Sequence, residues 1–180
     1  MEVLGQSIQS AVLATGPYAP LVIKLFKKHL HRSIEADFWY PLQAVLRFYA
    51  DVIPAIGENT LFAIGKHMPE AAVWPADVTT IEAGLASIDI AYHLNHRADG
   101  HVMFDPGTGT MLEGIGHYRC EIQGKRRIVM TCDTPYPPTL DHGIITGTAR
   151  KWKPWANVAL DPSKPSRPQG GASCSFVVEW

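Results

Sequence analysis

The sequence predicts an α+β fold in which N-terminal helices pack on a C-terminal antiparallel sheet, with one further helix inserted before the last strands. Three observations support this prediction. Apolar residues recur at helical spacing up to about residue 97, turn residues and strand-like alternation begin after residue 99, and the chain closes on an alternating segment over 172–180.

Four helices are predicted in the first half of the chain. A helix over 20–31 carries lysines near its C-terminal end, where positive charge complements the helix dipole. A longer helix is expected from Asp37 to Gly57, with apolar residues at steps of three and four. A short helix follows from Glu58 or Asn59, and a fourth begins at Thr79 or Thr80 with Glu82 in its first turn.

Strands dominate the second half of the predicted fold. Residues 111–122 and 126–132 are expected to pair as a hairpin, since the glycine and lysine between them suit a turn. A proline-started helix is predicted over 139–152, followed by a short strand over 156–160. The closing segment then forms the last strand of the sheet.

Length and composition limit the classes of protein that need to be considered. The 180 residues suit a single domain, 1–180, in which residues 1–34 are expected to form a helical extension. Sixteen basic residues against seventeen acidic ones argue against nucleic-acid binding as the main role. No apolar run reaches the roughly 18 residues of a membrane span, and residues 1–10 lack the basic start of a signal peptide. With three cysteines, an odd number, we expect a reducing, cytoplasmic location.

The closing segment also carries a family resemblance. Its pattern, Gly-Gly-x-x-Cys-x-Phe-x-Val-x-Trp over 170–180, resembles the end of bacterial sensor domains in the haem-NO-binding and 4-vinyl-reductase superfamily. Four blocks agree in order with these sensors, so that the likeness extends over residues 35–180: 39–42, 56–61, 80–85 and 136–147. The resemblance implies a sensor-type fold, a ligand pocket and dimerisation through N-terminal helices, which here are roughly residues 8–31.

A zinc site is one possibility that the resemblance raises. In phenol-sensing relatives, thiolates near the close of the domain hold a structural zinc ion. The candidate ligands here are Cys120, Cys132, Cys174 and His117, which supply the four donors that zinc needs if the fold brings them together. The alternative is that the three cysteines are small buried hydrophobic residues.

Haem is the other cofactor that the resemblance raises. In haem-binding members a helix histidine ligates the iron, and a Tyr-x-Ser-x-Arg motif holds the propionates. This sequence has histidines near the ends of its two central helices, and His93 lies one turn after Asp89, whose carboxylate is placed to orient the ring. The Tyr-x-Ser-x-Arg motif is absent. The cofactor therefore stays open, with neither zinc nor haem favoured.

A pocket for an apolar or aromatic ligand is predicted from the aromatic residues of the helical half. Such pockets are lined by apolar side chains with one or two polar groups. Each aromatic residue taken alone is also typical of a core position. The predicted ligand-binding residues are Trp39, Tyr40, Phe48, Tyr49, Phe62, His67, Tyr92 and His93.

No catalytic residue is predicted, and an enzyme is not expected. The sequence has no glycine-rich phosphate loop, no His-Glu-x-x-His and no Gly-x-Ser-x-Gly. Asp141 and His142 are adjacent, but an acidic residue in the first turn of a proline-started helix has a purely structural explanation.

These observations favour a non-catalytic, cytoplasmic sensory or regulatory domain. It would bind a small apolar or aromatic ligand, form a homodimer and signal through an unidentified signalling or regulatory protein. Two alternatives stay open. One is a tetrapyrrole enzyme of the 4-vinyl-reductase type or a haem-based gas sensor, and the other is a structural adaptor with an empty pocket.

Overall fold

The computed structural model describes all 180 residues and contains six α-helices joined to antiparallel sheets. The predicted α+β class is confirmed. The helices are α1 (Gly5–Leu13), α2 (Ala19–Leu30), α3 (Leu42–Ile56), α4 (Glu58–His67), α5 (Ile81–Leu94) and α6 (Pro138–Trp152). None of them is long and apolar enough to cross a membrane.

The strands form two four-stranded sheets and a small hairpin. The first sheet has the order β2-β1-β3-β4 and consists of β1 (Glu2–Leu4), β2 (Trp39–Pro41), β3 (His96–Ala98) and β4 (His101–Val102). The hairpin pairs β5 (Phe104–Asp105) with β6 (Thr110–Met111). The C-terminal sheet has the order β7-β8-β10-β9 and consists of β7 (Tyr118–Gly124), β8 (Arg127–Cys132), β9 (Asn157–Leu160) and β10 (Cys174–Glu179).

The C-terminal half follows the predicted organisation closely. The closing strand β10 lies between β8 and β9 in antiparallel register, with Phe176 opposite Met130 on one side and Leu160 on the other. Helix α6 precedes the last two strands, as expected. Thr80 also caps α5, because its hydroxyl accepts a hydrogen bond of 3.2 Å from the Ala83 amide.

Three expectations differ from the structure. The helix predicted from Asp37 begins only at Leu42, because Trp39–Pro41 are extended and pair with β1 as strand β2. The strand predicted over 111–122 begins only at Tyr118, because Gly114 and Gly116 adopt positive φ angles of 118° and 78° and interrupt the extended backbone. Residues 1–34 do not stand apart as an extension. They begin with β1 in the middle of the first sheet, and α1 and α2 bury residues such as Ile8 and Phe26 in the main core.

Helices α4 and α6 pack closely enough for their backbones to touch. A Cβ atom on Gly143 would lie 2.3 Å from the Phe62 carbonyl oxygen, and one on Gly65 would lie 2.4 Å from the Leu140 carbonyl oxygen. Only glycine fits such an approach without moving a helix. This contact fixes α6, which carries Asp141, against the helical half of the molecule.

We expect Gly143→Ala to lower the free energy of unfolding by about 1–3 kcal/mol, because the added methyl group forces the two helices apart. Urea denaturation measures the loss. The matched control is Gly124→Ala, where a Cβ would meet no atom within 4 Å; its effect should stay within about 0.5 kcal/mol. Equal stability of the two variants would contradict the close helix contact.

Candidate functional site

Five of the eight residues predicted to line a ligand pocket lie along one continuous series of aromatic contacts in the core: Tyr40, Phe48, Tyr49, Tyr92 and His93. Tyr40 and Phe48 pack on Phe26 in the N-terminal core, with ring centroids 5.2 and 5.5 Å away. Trp39 stacks on the Arg97 guanidinium at 4.8 Å. Phe62 contacts the His142 ring at 4.9 Å on another side of the molecule, and His67 is half exposed beside Glu70. These residues do not share one pocket.

The same contacts continue from Phe48 to Tyr49, 5.2 Å away, into a buried tyrosine cluster between α5 and the C-terminal sheet that also includes the predicted residue Tyr92. The Tyr92 ring lies 5.3 Å from Tyr118 and 6.2 Å from Tyr136, and Tyr49 lies 5.8 Å from Tyr136. All four tyrosines belong to the hydrophobic core. The side chains of the tyrosine cluster therefore fill the space between α5 and the C-terminal sheet.

His96 completes this cluster and is held as a neutral ring. Burial lowers its pKa to about 4. Its Nδ1 lies 2.7 Å from the Tyr92 carbonyl oxygen, which only accepts, so Nδ1 carries the proton. Nε2 then accepts a hydrogen bond of 2.7 Å from the Tyr136 hydroxyl. Both nitrogens of His96 are used within the protein.

Asp141 lies at the base of the cluster, fully buried on α6. It accepts hydrogen bonds from the Tyr118 hydroxyl at 2.6 Å, the Thr134 hydroxyl at 3.0 Å and the Arg167 guanidinium at 2.8 Å. Burial raises the pKa of Asp141 to about 7, although the Tyr118 hydrogen bond and the Arg167 charge act in the opposite direction. The ring of His142 bonds elsewhere, to the Val158 carbonyl oxygen, so the two adjacent residues form no catalytic dyad.

Asp89 on α5 joins the helix to the loop before β7. Its Oδ1 accepts a hydrogen bond of 2.8 Å from the Tyr118 amide, and its Oδ2 lies 2.9 Å from His117 Nδ1. The other nitrogen of His117 lies 2.8 Å from a Glu113 carboxylate oxygen. Burial opposes the charged ring, but the hydrogen bonds to Glu113 and Asp89 outweigh it and raise the pKa of His117.

His93 lies next to this group and is completely buried. Its Nδ1 is 2.8 Å from the Asp89 carbonyl oxygen and 3.5 Å from the Asp89 carboxylate, so the backbone rather than the carboxylate orients the ring. Its Nε2 has no hydrogen-bond partner. Asp89, His93 and His117 each place one potential ligand atom within 4.8 Å of the others.

The cysteines of the predicted zinc site are not part of this group. Cys132 faces Cys174 across β8 and β10, whereas Cys120 pairs with Met130 on β7 and β8. All three thiols are free, and burial raises the pKa of Cys120 to about 11. Of the four predicted zinc ligands, His117 alone lies in the group of potential metal ligands.

An open cleft of about 470 Å³ borders the same loop. Its walls include Met1, Leu42, Gln43, Gly114, Ile115 and Pro135. None of the predicted ligand-binding residues lines it, because the prediction followed aromatic residues and this wall is largely backbone. The paired glycines on either side of Ile115 were the available sequence signal, since glycine permits close approach of a backbone to a ligand.

The Ile115 carbonyl links this cleft to the tyrosine cluster. It accepts a hydrogen bond of 2.7 Å from the Tyr92 hydroxyl. Loop 113–117 thus lines the cleft with its middle residues and is bonded to α5 through Ile115 and His117.

Comparison with known proteins supports the fold. No protein-family model and no curated protein matches this chain. Solved structures do match it. An H-NOX protein from S. oneidensis in the Fe(II)NO ligation state aligns over 98% of both chains, with a TM-score of 0.68 and 14% identity. Fe(II) unliganded H-NOX protein mutant A71G from K. algicida covers 99% of this chain and 96% of its own, with a TM-score of 0.66 and 13% identity.

A third similar structure is an oxygen-binding H-NOX domain related to soluble guanylate cyclases. It aligns over 97% of this chain and 93% of its own, with a TM-score of 0.61 and 14% identity. The resemblance to haem-NO-binding domains is therefore confirmed at the level of the fold, over nearly the whole chain.

The buried Asp141 predicts a specific pH dependence of stability. The folded protein keeps a proton on Asp141 up to about pH 7, whereas the unfolded chain loses it near 3.8. Its contribution to stability is thus fully present below about pH 4 and is lost as the pH rises through about 7. Relative to Asp141→Asn, the wild type should lose about 4 kcal/mol over this interval, measured by urea denaturation. Parallel pH profiles would contradict this assignment.

Proposed function

We propose that this chain is a non-catalytic sensory or regulatory domain that binds a small apolar or aromatic ligand and signals through a partner protein. The observation that carries the proposal is loop 113–117, whose middle residues line the open cleft and which is bonded to α5 through Ile115 and His117. The H-NOX-like fold over nearly the whole chain supports a sensor. The buried, free cysteines fit a cytoplasmic location.

Ligand binding in the cleft would act on α5 through direct bonds. A ligand that contacts Ile115 shifts the carbonyl that Tyr92 binds, and the same movement displaces His117 from Asp89. Tyr92 and Asp89 both belong to α5. A movement of loop 113–117 would therefore displace α5. This helix packs against both α6 and β7.

A haem does not fit between α5 and the sheet as the residues are placed. The Tyr92 and Tyr118 rings are in direct contact there, and both nitrogens of His96 are already bonded. His93 retains one free nitrogen, but its ring lies against that of His117 at 4.9 Å. The proposed function does not depend on a tetrapyrrole, whether as the cofactor of a gas sensor or as the substrate of a 4-vinyl-reductase-type enzyme.

Indole, a small aromatic probe, tests binding in the cleft. In ¹H–¹⁵N spectra we expect indole to shift the amides of Gly114, Ile115 and Gly116. Gln43→Trp, which places a large ring at the exposed cleft wall, should weaken indole binding at least tenfold. Arg47→Trp is the matched control, one turn further along the exposed side of α3, and should leave it unchanged.

Several outcomes of this titration would overturn the proposal. Equal effects of the two tryptophan variants, or shifts confined to other regions, would exclude the cleft as the site. A Soret band after addition of haem, together with loss of indole binding, would favour the tetrapyrrole alternatives. Absence of binding by either compound would favour the structural adaptor.

The homodimer is proposed to form through residues 8–31. Large apolar side chains are exposed there on α1, on α2 and between them, including Leu13 at 74% and Leu21 at 39%. Exposed apolar residues grouped in this way are typical of an association surface. The deeply buried side chains of the same segment anchor it to the core, so the surface is rigid.

We expect a mass close to two chains by light scattering at micromolar concentration, and Leu21→Glu should shift it to one chain because a buried charge is costly at an interface. Val73→Glu, at a side chain 96% exposed elsewhere on the surface, serves as the control and should not change the mass. A monomeric wild type, or dimers in both variants, would contradict this interface.

A further inference from the structure

We propose that Asp89, His93 and His117 bind one divalent transition-metal ion of the zinc type. This metal site goes beyond the proposed ligand cleft and does not depend on it. Two imidazole nitrogens and a carboxylate are a donor set that zinc and related ions accept.

The two histidines reach the site from different elements. Asp89 and His93 are one turn apart on α5, and His117 directly precedes β7. Their potential ligand atoms lie within 4.8 Å of one another. Donors around a tetrahedral zinc ion are roughly 3.3 Å apart, given bond lengths of about 2.0–2.1 Å. A contraction of up to about 1.5 Å at the widest pair therefore closes the site around an ion.

His93 supplies the observation that points to a ligand. The residue is fully buried, and its Nε2 has no hydrogen-bond partner. A buried polar atom without a partner is destabilising, because it has lost its hydrogen bonds to water and gained none in the protein. Its Nδ1 faces a backbone carbonyl oxygen at 2.8 Å and must donate to it, which leaves Nε2 as the nitrogen for a metal. This is the arrangement in which proteins commonly hold a metal-binding histidine.

The surrounding contacts suit a bound cation. The Tyr118 amide bonds Asp89 Oδ1, which fixes the carboxylate and leaves Oδ2 facing His117. Glu113 is 80% exposed on its side chain and lies against the other face of His117. The Asp89 and Glu113 carboxylates thus occupy the two nitrogens of the His117 ring, and Glu113 marks the side of that ring that faces solvent.

The test is zinc titration of the metal-free protein by calorimetry, repeated with Co²⁺ to record its absorption spectrum. The wild type should bind one equivalent and melt roughly 5–10 °C higher when the free metal exceeds the dissociation constant about 100-fold. His117→Ala and His93→Gln should each weaken binding more than about 100-fold, because loss of even an outer-shell partner commonly reduces affinity 10–100-fold. His67→Ala, at an exposed histidine paired with Glu70, is the matched control and should bind as the wild type does.

Because His117 lies at the edge of the core, His117→Ala still tests the proposal if His93→Gln unfolds. Circular dichroism of the metal-free proteins shows whether each variant is folded. Unchanged binding in His117→Ala would overturn the proposal, as would the absence of stoichiometric binding by the wild type. A strong near-ultraviolet thiolate band of bound Co²⁺ would also overturn it and assign the metal to the cysteines instead.

Discussion

The Asp89 carboxylate is the contact on which the arrangement of the functional region depends. One of its oxygens fixes the start of β7 through the Tyr118 amide, and the other holds His117. Its backbone carbonyl orients His93. A single residue of α5 therefore sets the distance between helix and sheet, the position of the cleft loop and the spacing of the proposed metal ligands. Because the contacts are hydrogen bonds to a partly buried carboxylate, they are directional and sensitive to movement of either partner.

A cluster of buried tyrosines fills the interior of this H-NOX-like fold. Tyr92, Tyr118 and Tyr136 occupy the space between α5 and the sheet and are tied by hydrogen bonds to Ile115, Asp141 and His96. An interior filled in this way is rigid, since each hydroxyl is satisfied by a partner inside the protein. At the edge of this core, loop 113–117 and Met1 border an open cleft.

Local patterns in the sequence predicted the elements whose structure is decided locally. The alternation of the closing strand, the prolines before α6 and the cap at Thr80 all correspond to observed features. The first sheet was not predicted, because β1, β2 and β3 have only three residues each and show no periodicity. Their pairing depends on contacts between residues far apart in the sequence, such as Val3 with both Tyr40 and His96.

The candidate site was only partly predictable for the same reason. The one-turn spacing of Asp89 and His93 is visible in the sequence, whereas the approach of His117 to Asp89 depends on how β7 packs against α5. Aromatic spacing showed which residues would be buried. It did not show that most of them would pack on one another inside the core, or that Phe62 would contact His142 instead.

Amide hydrogen exchange at Tyr118 tests the central claim, that Asp89 transmits the state of the cleft loop to α5. With saturating indole, the account predicts a changed exchange rate of this amide in the wild type. In Asp89→Ala, it predicts faster exchange that no longer responds to indole, because the carboxylate that accepts the amide proton is gone. If the rate at Tyr118 is the same in both proteins and insensitive to indole, the coupling between the cleft and the helix does not pass through Asp89 and the account is contradicted.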